Sequence, residues 1–291
     1  MKPIRFEYYA PTSVEEALTN LAELGYSGKV LAGGQSLVPA MNFRMSRPSA
    51  LVDINNIPEL QYIRSDGNGG LKIGAMTRDS AVEYDAKVKQ AFPLISEVMP
   101  NIAHPQIRNR GTFGGAIAHA DPAGQLPAIA LTLNATMKIH KKGQERTVKA
   151  EDFFLGAFTT AIEPDEMLTE VSLPGLPQRT GYSYQQVSRQ RGGYAQAATA
   201  VIVAIGEDGR CKDVRLTLIS VSDVPILSIE AKRILVGQKP TPEAIEAVAE
   251  AAAKSEIDPA SDIHATADYR RHLTRTLIVR SLGEAFSRAA Q

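Results

Sequence analysis

The chain has 291 residues, and its 32 Lys and Arg side chains balance its 32 Asp and Glu side chains, so no net positive charge is available to gather a nucleic acid. Its one cysteine excludes an internal disulfide and an iron–sulfur cluster, which needs about four thiolates, and its five histidines show no zinc-ligand spacing. Without a signal-peptide pattern or an apolar run near the roughly 20 residues that span a bilayer, we expect a cytoplasmic protein of two or three domains that uses an organic cofactor, its own side chains or a partner's metal.

The first 57 residues predict a β–α–β unit and a further strand. Residues 4–9 alternate in polarity and indicate a short strand, and a helix should follow, with Thr12 or Ser13 as its N-cap and Gly25 at its end. The stretch "KVLAGG" predicts a strand that runs into a glycine turn, and residues 49–57 predict another buried strand. This pattern places a glycine loop at the end of a strand.

The middle of the chain predicts strands mixed with helices. A strand at 69–77 should precede a polar helix that begins at Thr77, and residues 92–103 predict a second helix. A second glycine loop opens the stretch 108–140, which continues with a helix and a strand. Residues 166–173 predict the strand that closes this part.

Pro174, Gly175 and Pro177 form a linker, so we place a domain boundary near residue 177. Beyond it, the pattern predicts three strands joined by turns and then three helices, the second with Thr241 as its N-cap and Pro242 at its first position. The expected domains are 1–176, with parts at about 1–55 and 56–176, and 178–291.

Two loops combine paired glycines, a hydroxyl and apolar flanks, one at residues 31–37 and one at 108–122. Glycines let backbone N–H groups turn toward an anion. For either loop alone we favour a tight packing turn, but the two together favour a clamp that holds a diphosphate from both sides. Neither loop has the Rossmann pattern G-x-G-x-x-G with a matching acidic residue, and the nucleotide-triphosphatase loop G-x-x-x-x-G-K-[ST] is absent.

The stretches "AGGQSLVPAMNFRMSRPSALVDINNIPEL" and "IRNRGTFGGAIAHADPAGQLPA" carry a specific resemblance. They resemble the FAD-binding medium subunit of molybdenum-containing hydroxylases, the carbon monoxide dehydrogenase and xanthine dehydrogenase family, and the likeness covers nearly the whole chain. It implies an α+β fold: a two-part FAD-binding domain of the vanillyl-alcohol-oxidase (PCMH) type, then a C-terminal domain of a three-stranded antiparallel sheet plus helices.

The resemblance also implies which residues contact FAD. The first loop would wrap the diphosphate with Ala32, Gly33, Gly34, Gln35, Ser36 and Leu37. The second would close over the diphosphate and ribityl chain with Thr112, Gly114, Gly115 and Ala116, followed by Ala120 and Asp121. Positions near the flavin ring or lining the cofactor elsewhere would be Ala75, Thr77, Ile102, Ala103, Leu168 and Tyr194, where Tyr194 would cover the flavin face.

Two positions depart from the family pattern. Gln125 stands where an acidic residue is common, and Gln185 lies near the position of a lysine in xanthine-oxidising relatives. Neither amide brings a charge, so we expect both to affect the flavin potential and the choice of electron acceptor rather than FAD binding itself. His119 and Asp121 could form an acid–base pair, but we favour a structural role for His119 and a capping role for Asp121.

The function that the resemblance implies is the FAD-binding electron-transfer subunit of a heterotrimeric molybdenum hydroxylase, with no catalytic or metal-ligating residue of its own. A molybdopterin-binding large subunit and a [2Fe–2S] small subunit would be its partners, in a dimer of heterotrimers, and NAD⁺, a quinone or another acceptor would take the electrons. Two alternatives remain open: a self-contained flavin oxidase, and a non-catalytic scaffold whose two loops are packing turns.

Overall fold

The computed structural model describes residues 1–291, the whole chain. The strands are β1 Glu7–Tyr9, β2 Gly28–Leu31, β3 Ala50–Asp53, β4 Ile63–Ser65, β5 Leu71–Gly74, β6 Thr136–Lys141, β7 Gln144–Lys149, β8 Phe154–Gly156, β9 Thr159–Thr160, β10 Met167–Leu173, β11 Thr180–Ser188, β12 Ala195–Ile205, β13 Cys211–Ile219 and β14 Ile226–Leu227. The α-helices are α1 Val14–Leu24, α2 Leu37–Asn42, α3 Asp79–Tyr84, α4 Ala86–Ala91, α5 Pro93–Val98, α6 Pro105–Arg108, α7 Phe113–His119, α8 Gln125–Thr132, α9 Ala150–Phe153, α10 Ile229–Leu235, α11 Pro242–Ser255 and α12 Ala267–Ala289. None of these helices is both long enough and apolar enough to cross a membrane.

The N-terminal part is a small parallel sheet of order β1-β3-β2 with α1 packed against it. Ser13 is the N-cap of α1 and accepts a hydrogen bond from the Glu16 N–H at 3.2 Å, while Gly25 ends the helix at a positive φ of 49°. The predicted β–α–β unit therefore forms, but its two strands flank β3 instead of pairing with each other. Residue 32 therefore lies directly after the C-terminal end of β2, at the edge of the sheet.

The second part is an antiparallel sheet of order β4-β5-β10-β6-β7. β10, predicted as the closing strand, lies in its centre between β5 and β6. The polar helix expected from Thr77 is two helices, because the Asp85 carboxylate accepts from the N–H groups of Lys87 and Val88 at 2.7 and 3.1 Å and starts α4. The hairpin of β8 and β9 and the exposed strand β7 carry no clear apolar period and were not predicted.

The C-terminal part is an antiparallel sheet of order β11-β12-β13-β14 covered by α10, α11 and α12. Three long strands agree with the prediction, and the two-residue β14 adds a fourth by pairing with β13. Thr241 caps α11 by accepting from the Ala244 N–H at 3.3 Å. Along α12, residues such as Leu273, Leu277 and Ser281 form the buried stripe that packs on β11 and β12.

The largest hydrophobic core crosses the predicted boundary at residue 177. It joins Ile73, Phe113 and Ile129 of the first domain to Ala198 and Ile202 of β12. The domain division remains a prediction, but the two predicted domains share one packed interior. This contact brings the loop between β11 and β12 next to the first domain.

Candidate functional site

The two glycine loops touch each other. A Cβ on Gly33 would collide with the Arg110 carbonyl oxygen and would lie 2.8 Å from the Gly111 Cα. A Cβ on Gly115 would lie 3.3 Å from the Cβ of Ala32. A side chain on Gly33 would therefore force the loops apart, so glycine is required where they meet.

The first loop carries a row of free backbone donors. None of the N–H groups of residues 32–37 donates a hydrogen bond to another group of the chain, although Gln35 turns its Nε2 back onto the Gly33 carbonyl at 2.9 Å. The loop borders a cavity of about 310 Å³, which is lined by Leu31, Ala32, Gly33, Gly34, Gln35, Val38, Pro39, Asp53, Asn55 and Arg110. Consecutive free N–H groups around a cavity are typical of an anion site, because backbone donors are otherwise almost always paired.

The second loop differs, because its N–H groups are already paired. Phe113 donates to the Thr77 carbonyl at 2.9 Å and Gly114 to the Ala75 carbonyl at 3.0 Å. Gly115 donates to the Thr112 hydroxyl at 3.2 Å, and Ala116 donates to the Thr112 carbonyl at 3.0 Å. The structure thus provides free donors on the first loop and a packed wall on the second, rather than the free donors on both loops that the clamp hypothesis requires.

The turn at Ile102 and Ala103 is held by Arg108, which is nearly buried. Arg108 donates from Nη1 to the carbonyls of Ile102 and Ala103 at 2.8 and 3.3 Å, and its Nε lies 2.7 Å from Glu83. Ala103 adopts a left-handed φ of 43°. Against it packs Gly192, where a Cβ would lie 2.9 Å from the Ala103 carbonyl carbon. The first domain therefore fixes the loop that carries Tyr194.

Tyr194 and Asp121 approach each other across the contact between the two predicted domains. Although 65% of Tyr194 is exposed, burial around its hydroxyl raises the pKa of Tyr194 to about 12, and the nearby Asp121 carboxylate adds to that rise. Asp121 also accepts from the Ala123 N–H at 2.9 Å, which closes a local turn, whereas the predicted cap of a segment starting at Pro122 does not form because α8 begins at Gln125 with Gly124 as its N-cap. Ala120, just before it, is left-handed at φ 49° and accepts from the Phe158 N–H at 3.0 Å.

His119 packs as a structural side chain. Its ring centroid lies 5.1 Å from that of Phe158, and burial lowers the pKa of His119 even though Asp121 opposes the shift. No hydrogen bond joins His119 to Asp121, so the geometry provides no acid–base pair.

Comparisons with known proteins identify the family of the chain. The family described as FAD binding domain in molybdopterin dehydrogenase matches residues 4–176, and the CO dehydrogenase flavoprotein C-terminal domain matches residues 182–285. The chain belongs to the FAD-binding subunits of the molybdenum hydroxylase family. As its relatives are named dehydrogenase and hydroxylase subunits, it is an oxidoreductase subunit.

Similar proteins include subunit alpha of the 6-hydroxypseudooxynicotine dehydrogenase complex from Paenarthrobacter nicotinovorans, 41% identical over 99% of this chain and 97% of that protein. The carbon monoxide dehydrogenase medium chain of Hydrogenophaga pseudoflava is 38% identical over 100% of both chains. Among solved structures, the carbon monoxide dehydrogenase of that organism superposes with a TM-score of 0.96 over 99% of both chains, at 38% identity. Quinoline 2-oxidoreductase from Pseudomonas putida 86 gives a TM-score of 0.94 over 100% of both chains, at 34% identity.

The residues of this FAD subunit fit the cofactor at the first loop. The N–H groups of residues 32–37 have no acceptor within the chain, so they would suit the diphosphate oxygens of FAD, which need several donors. Ala75 and Thr77 support the second loop through their carbonyl groups, and the Thr77 hydroxyl donates to the Tyr62 carbonyl at 2.9 Å. Ala75 and Thr77 thus hold the backbone of the second loop at Phe113 and Gly114 in place.

Three predicted positions lie apart from the two loops. Gln125 is buried, and its Nε2 lies 3.4 Å from the Asn101 carbonyl and 3.5 Å from Gln186. Leu168 is buried in the largest core. Gln185 donates to Glu284 of α12 at 2.8 Å, so the structure points its side chain at that helix and does not bring it to the loops. Its influence on the flavin remains a prediction.

Sequence reasoning missed three residues that join the loops. Arg78 donates from Nη1 to the Arg110 carbonyl at 2.5 Å and from Nη2 to the Asn55 side chain at 2.7 Å. Asn55 in turn donates to the Ala32 carbonyl at 2.8 Å. The quoted motifs contain Asn55 and Arg110, but nothing in the spacing indicated that Arg78 would connect them.

Asp79 lies behind the second loop. It is 3% exposed, its Oδ1 has no hydrogen-bond partner, and its carboxylate blocks the space where Gly111 would carry a Cβ. Burial raises the pKa of Asp79 to about 7, against the opposing charges of Arg108 and Arg78. Near pH 7, the Asp79 carboxyl is therefore only partly ionised.

Proposed function

We propose that this chain holds FAD and passes electrons from the [2Fe–2S] clusters of a partner subunit to an external acceptor. The observation that carries the proposal is the row of N–H groups at residues 32–37, which has no acceptor within the chain and borders a cavity. A non-catalytic scaffold would have no use for consecutive unpaired donors at residues 32–35, which line the cavity before α2 begins. FAD supplies the redox chemistry, because it exchanges electrons singly or in pairs.

The chain's own residues bind and orient the cofactor in this proposal. The first loop donates to the diphosphate, and the wall at Gly114 and Gly115 keeps water from its other side. The turn at Ile102 and Ala103 borders the flavin ring, and Tyr194 covers one of its faces from the second domain. These four tasks require position rather than proton transfer, which agrees with the absence of an acid–base pair at His119 and Asp121.

The proposed partners are a molybdopterin-binding large subunit and a [2Fe–2S] small subunit, assembled as a dimer of heterotrimers in the cytoplasm. The lone Cys211 is buried and cannot hold a cluster, so the clusters would belong to another chain. NAD⁺ and a quinone are both electron acceptors that a reduced flavin can reduce.

The test is purification through an affinity tag on this chain, together with its genomic neighbours. We expect two co-purifying subunits, one FAD per copy of this chain, and flavin bleaching when the substrate of the large subunit is added without oxygen. A colourless preparation would support the scaffold, and substrate oxidation by this chain alone would support the self-contained oxidase. Either result would overturn the proposal.

A further inference from the structure

Two arginines with no carboxylate partner stand beside the free amides of the first loop. Arg110 is exposed, lines the same cavity as Gly33 and Gln35, and takes part in none of the ion pairs of the chain. Arg78 is half-buried and forms no ion pair either, since its hydrogen bonds go to the Arg110 carbonyl and to Asn55. Neither guanidinium group has an ion-pair partner, although the more distant carboxylates of Asp79 and Asp53 offset part of the effect of burial on Arg78.

The two guanidinium groups also repel each other. Burial lowers the pKa of Arg78, and the charge of Arg110 lowers it further. Placing like charges together costs free energy that an anionic ligand in the cavity would recover. A dianion such as a diphosphate is matched in charge to the pair.

The two nearby carboxylates do not pair with Arg110, because Asp53 accepts hydrogen bonds from other groups and Asp79 lies behind Gly111. Asp53 lines the cavity, but its Oδ2 accepts from the Tyr8 hydroxyl at 2.5 Å and its Oδ1 from the Asn55 N–H and Nδ2 at 3.0 and 2.5 Å. Asp79 lies behind Gly111 and has no hydrogen bond to either arginine. Neither carboxylate forms an ion pair with Arg110.

We infer that Arg110 contacts the diphosphate of FAD directly, and that Arg78 is a positioning residue that holds Arg110 and the first loop at the correct separation. The inference rests on the proposed function and adds a charge to a site that otherwise uses backbone donors alone. Guanidinium groups suit this task because they donate two parallel hydrogen bonds to phosphate oxygens. Arg78 acts through the carbonyl of Arg110 and, through Asn55, through the carbonyl of Ala32.

The test measures flavin binding rather than turnover. The complex purified through the full chain is stripped of flavin and titrated with FAD and with riboflavin, which lacks the diphosphate, for the wild type, Arg110→Gln and Arg110→Lys. Arg280→Gln is the control, because Arg280 is an exposed, unpaired arginine on α12. Thermal unfolding of each variant verifies that the fold is intact.

We expect Arg110→Gln to weaken FAD binding about tenfold or more and to leave riboflavin binding unchanged. Arg110→Lys should recover part of the loss, Arg280→Gln should have no effect, and raising the salt concentration should weaken FAD binding less in Arg110→Gln than in the wild type. For Arg78→Gln we expect weaker FAD binding and faster proteolysis of the first loop, which Arg110→Gln should not cause.

Unchanged FAD affinity in Arg110→Gln, or an equal loss for FAD and riboflavin, would overturn the inference and leave the proposed function standing. If the wild-type complex binds no FAD, the proposed function itself fails. These outcomes are distinct, because the first compares variants and the second concerns the wild type alone.

Discussion

At the scale of single residues, the site depends on positions where one extra atom or one charge changes the geometry. Gly33 meets the Arg110 carbonyl with no room for a side chain, and Ala103 and Ala120 hold left-handed backbone conformations. Strained conformations of this kind persist where the surrounding structure demands them, and they cluster at binding sites. Here both alanines lie at positions that the family resemblance implies for cofactor contact.

For Gly33→Ala, we predict loss of FAD without loss of the fold. The new methyl group would push the first loop away from Arg110 and Gly111, and overpacking of this kind costs about 1–3 kcal/mol. If that cost falls on the FAD-bound state, the affinity for FAD decreases about 5- to 150-fold. The measurement is FAD content per chain after purification. Gly283→Ala on α12 is the matched control, because a Cβ there meets nothing within 4 Å. Full FAD content in Gly33→Ala would contradict the prediction.

For Asp79, we predict a pH-dependent loss of stability. Its pKa is about 7 in the folded chain and 3.8 as an unperturbed group, so the folded state binds the extra proton between these values. Stability should therefore fall as the pH rises from about 4 to 7, by at most about 4 kcal/mol, and level off above pH 7. Asp79→Asn removes this slope, so the free energy of unfolding of the wild type should fall relative to that of the variant across this range. Parallel pH profiles would refute this prediction.

At the scale of elements, caps and buried stripes were predictable from sequence, but long-range pairing was not. Ser13, Thr241 and the stripe on α12 follow from local rules that act within four or five residues. The link of Arg78 to Asn55 and Arg110 spans 23 and 32 residues, so no local pattern could reveal it. The pairing of the second loop's N–H groups with Ala75 and Thr77 is equally a product of tertiary contact.

The ion pair between Arg108 and Glu83 links α6 to α3 and fixes the turn at Ile102. Its side chains are 6% and 9% exposed, so Glu83→Gln would leave a buried arginine without its counter-charge. We predict a loss of about 3–5 kcal/mol in the free energy of unfolding by urea. The matched control is Glu246→Gln, whose partner Arg275 is about half exposed, as Glu246 is, and there we expect less than about 1 kcal/mol. Equal effects at the two sites would argue against the prediction.

At the scale of the whole molecule, the two predicted domains share one hydrophobic core, and a salt bridge joins a helix of one to a helix of the other. Arg288 of α12 contacts Glu97 of α5 at 2.7 Å, and Glu97 also accepts from the Tyr184 N–H at 2.9 Å. The fold class followed from motifs that match a known family, whereas this shared interior could not be read from a Pro-rich linker. The linker marks a change in the pattern of strands and helices, but the two predicted domains do not pack independently of each other.

We predict a single cooperative unfolding transition for the chain. Because the largest core includes residues from both sides of residue 177, unfolding one domain would expose apolar surface of the other. Calorimetry should give one peak whose calorimetric enthalpy equals its van't Hoff enthalpy. Two resolved peaks would show that the domains unfold separately.

Hydrogen exchange of the backbone amides, compared between the flavin-loaded and the flavin-stripped protein, tests whether the first loop binds the diphosphate of FAD. Residues 32–37 have no acceptor within the chain, whereas the amides of 113–116 are paired. We expect FAD to slow exchange strongly at residues 32–37 and only slightly at residues 113–116. Unchanged exchange at 32–37 on FAD binding would contradict this expectation.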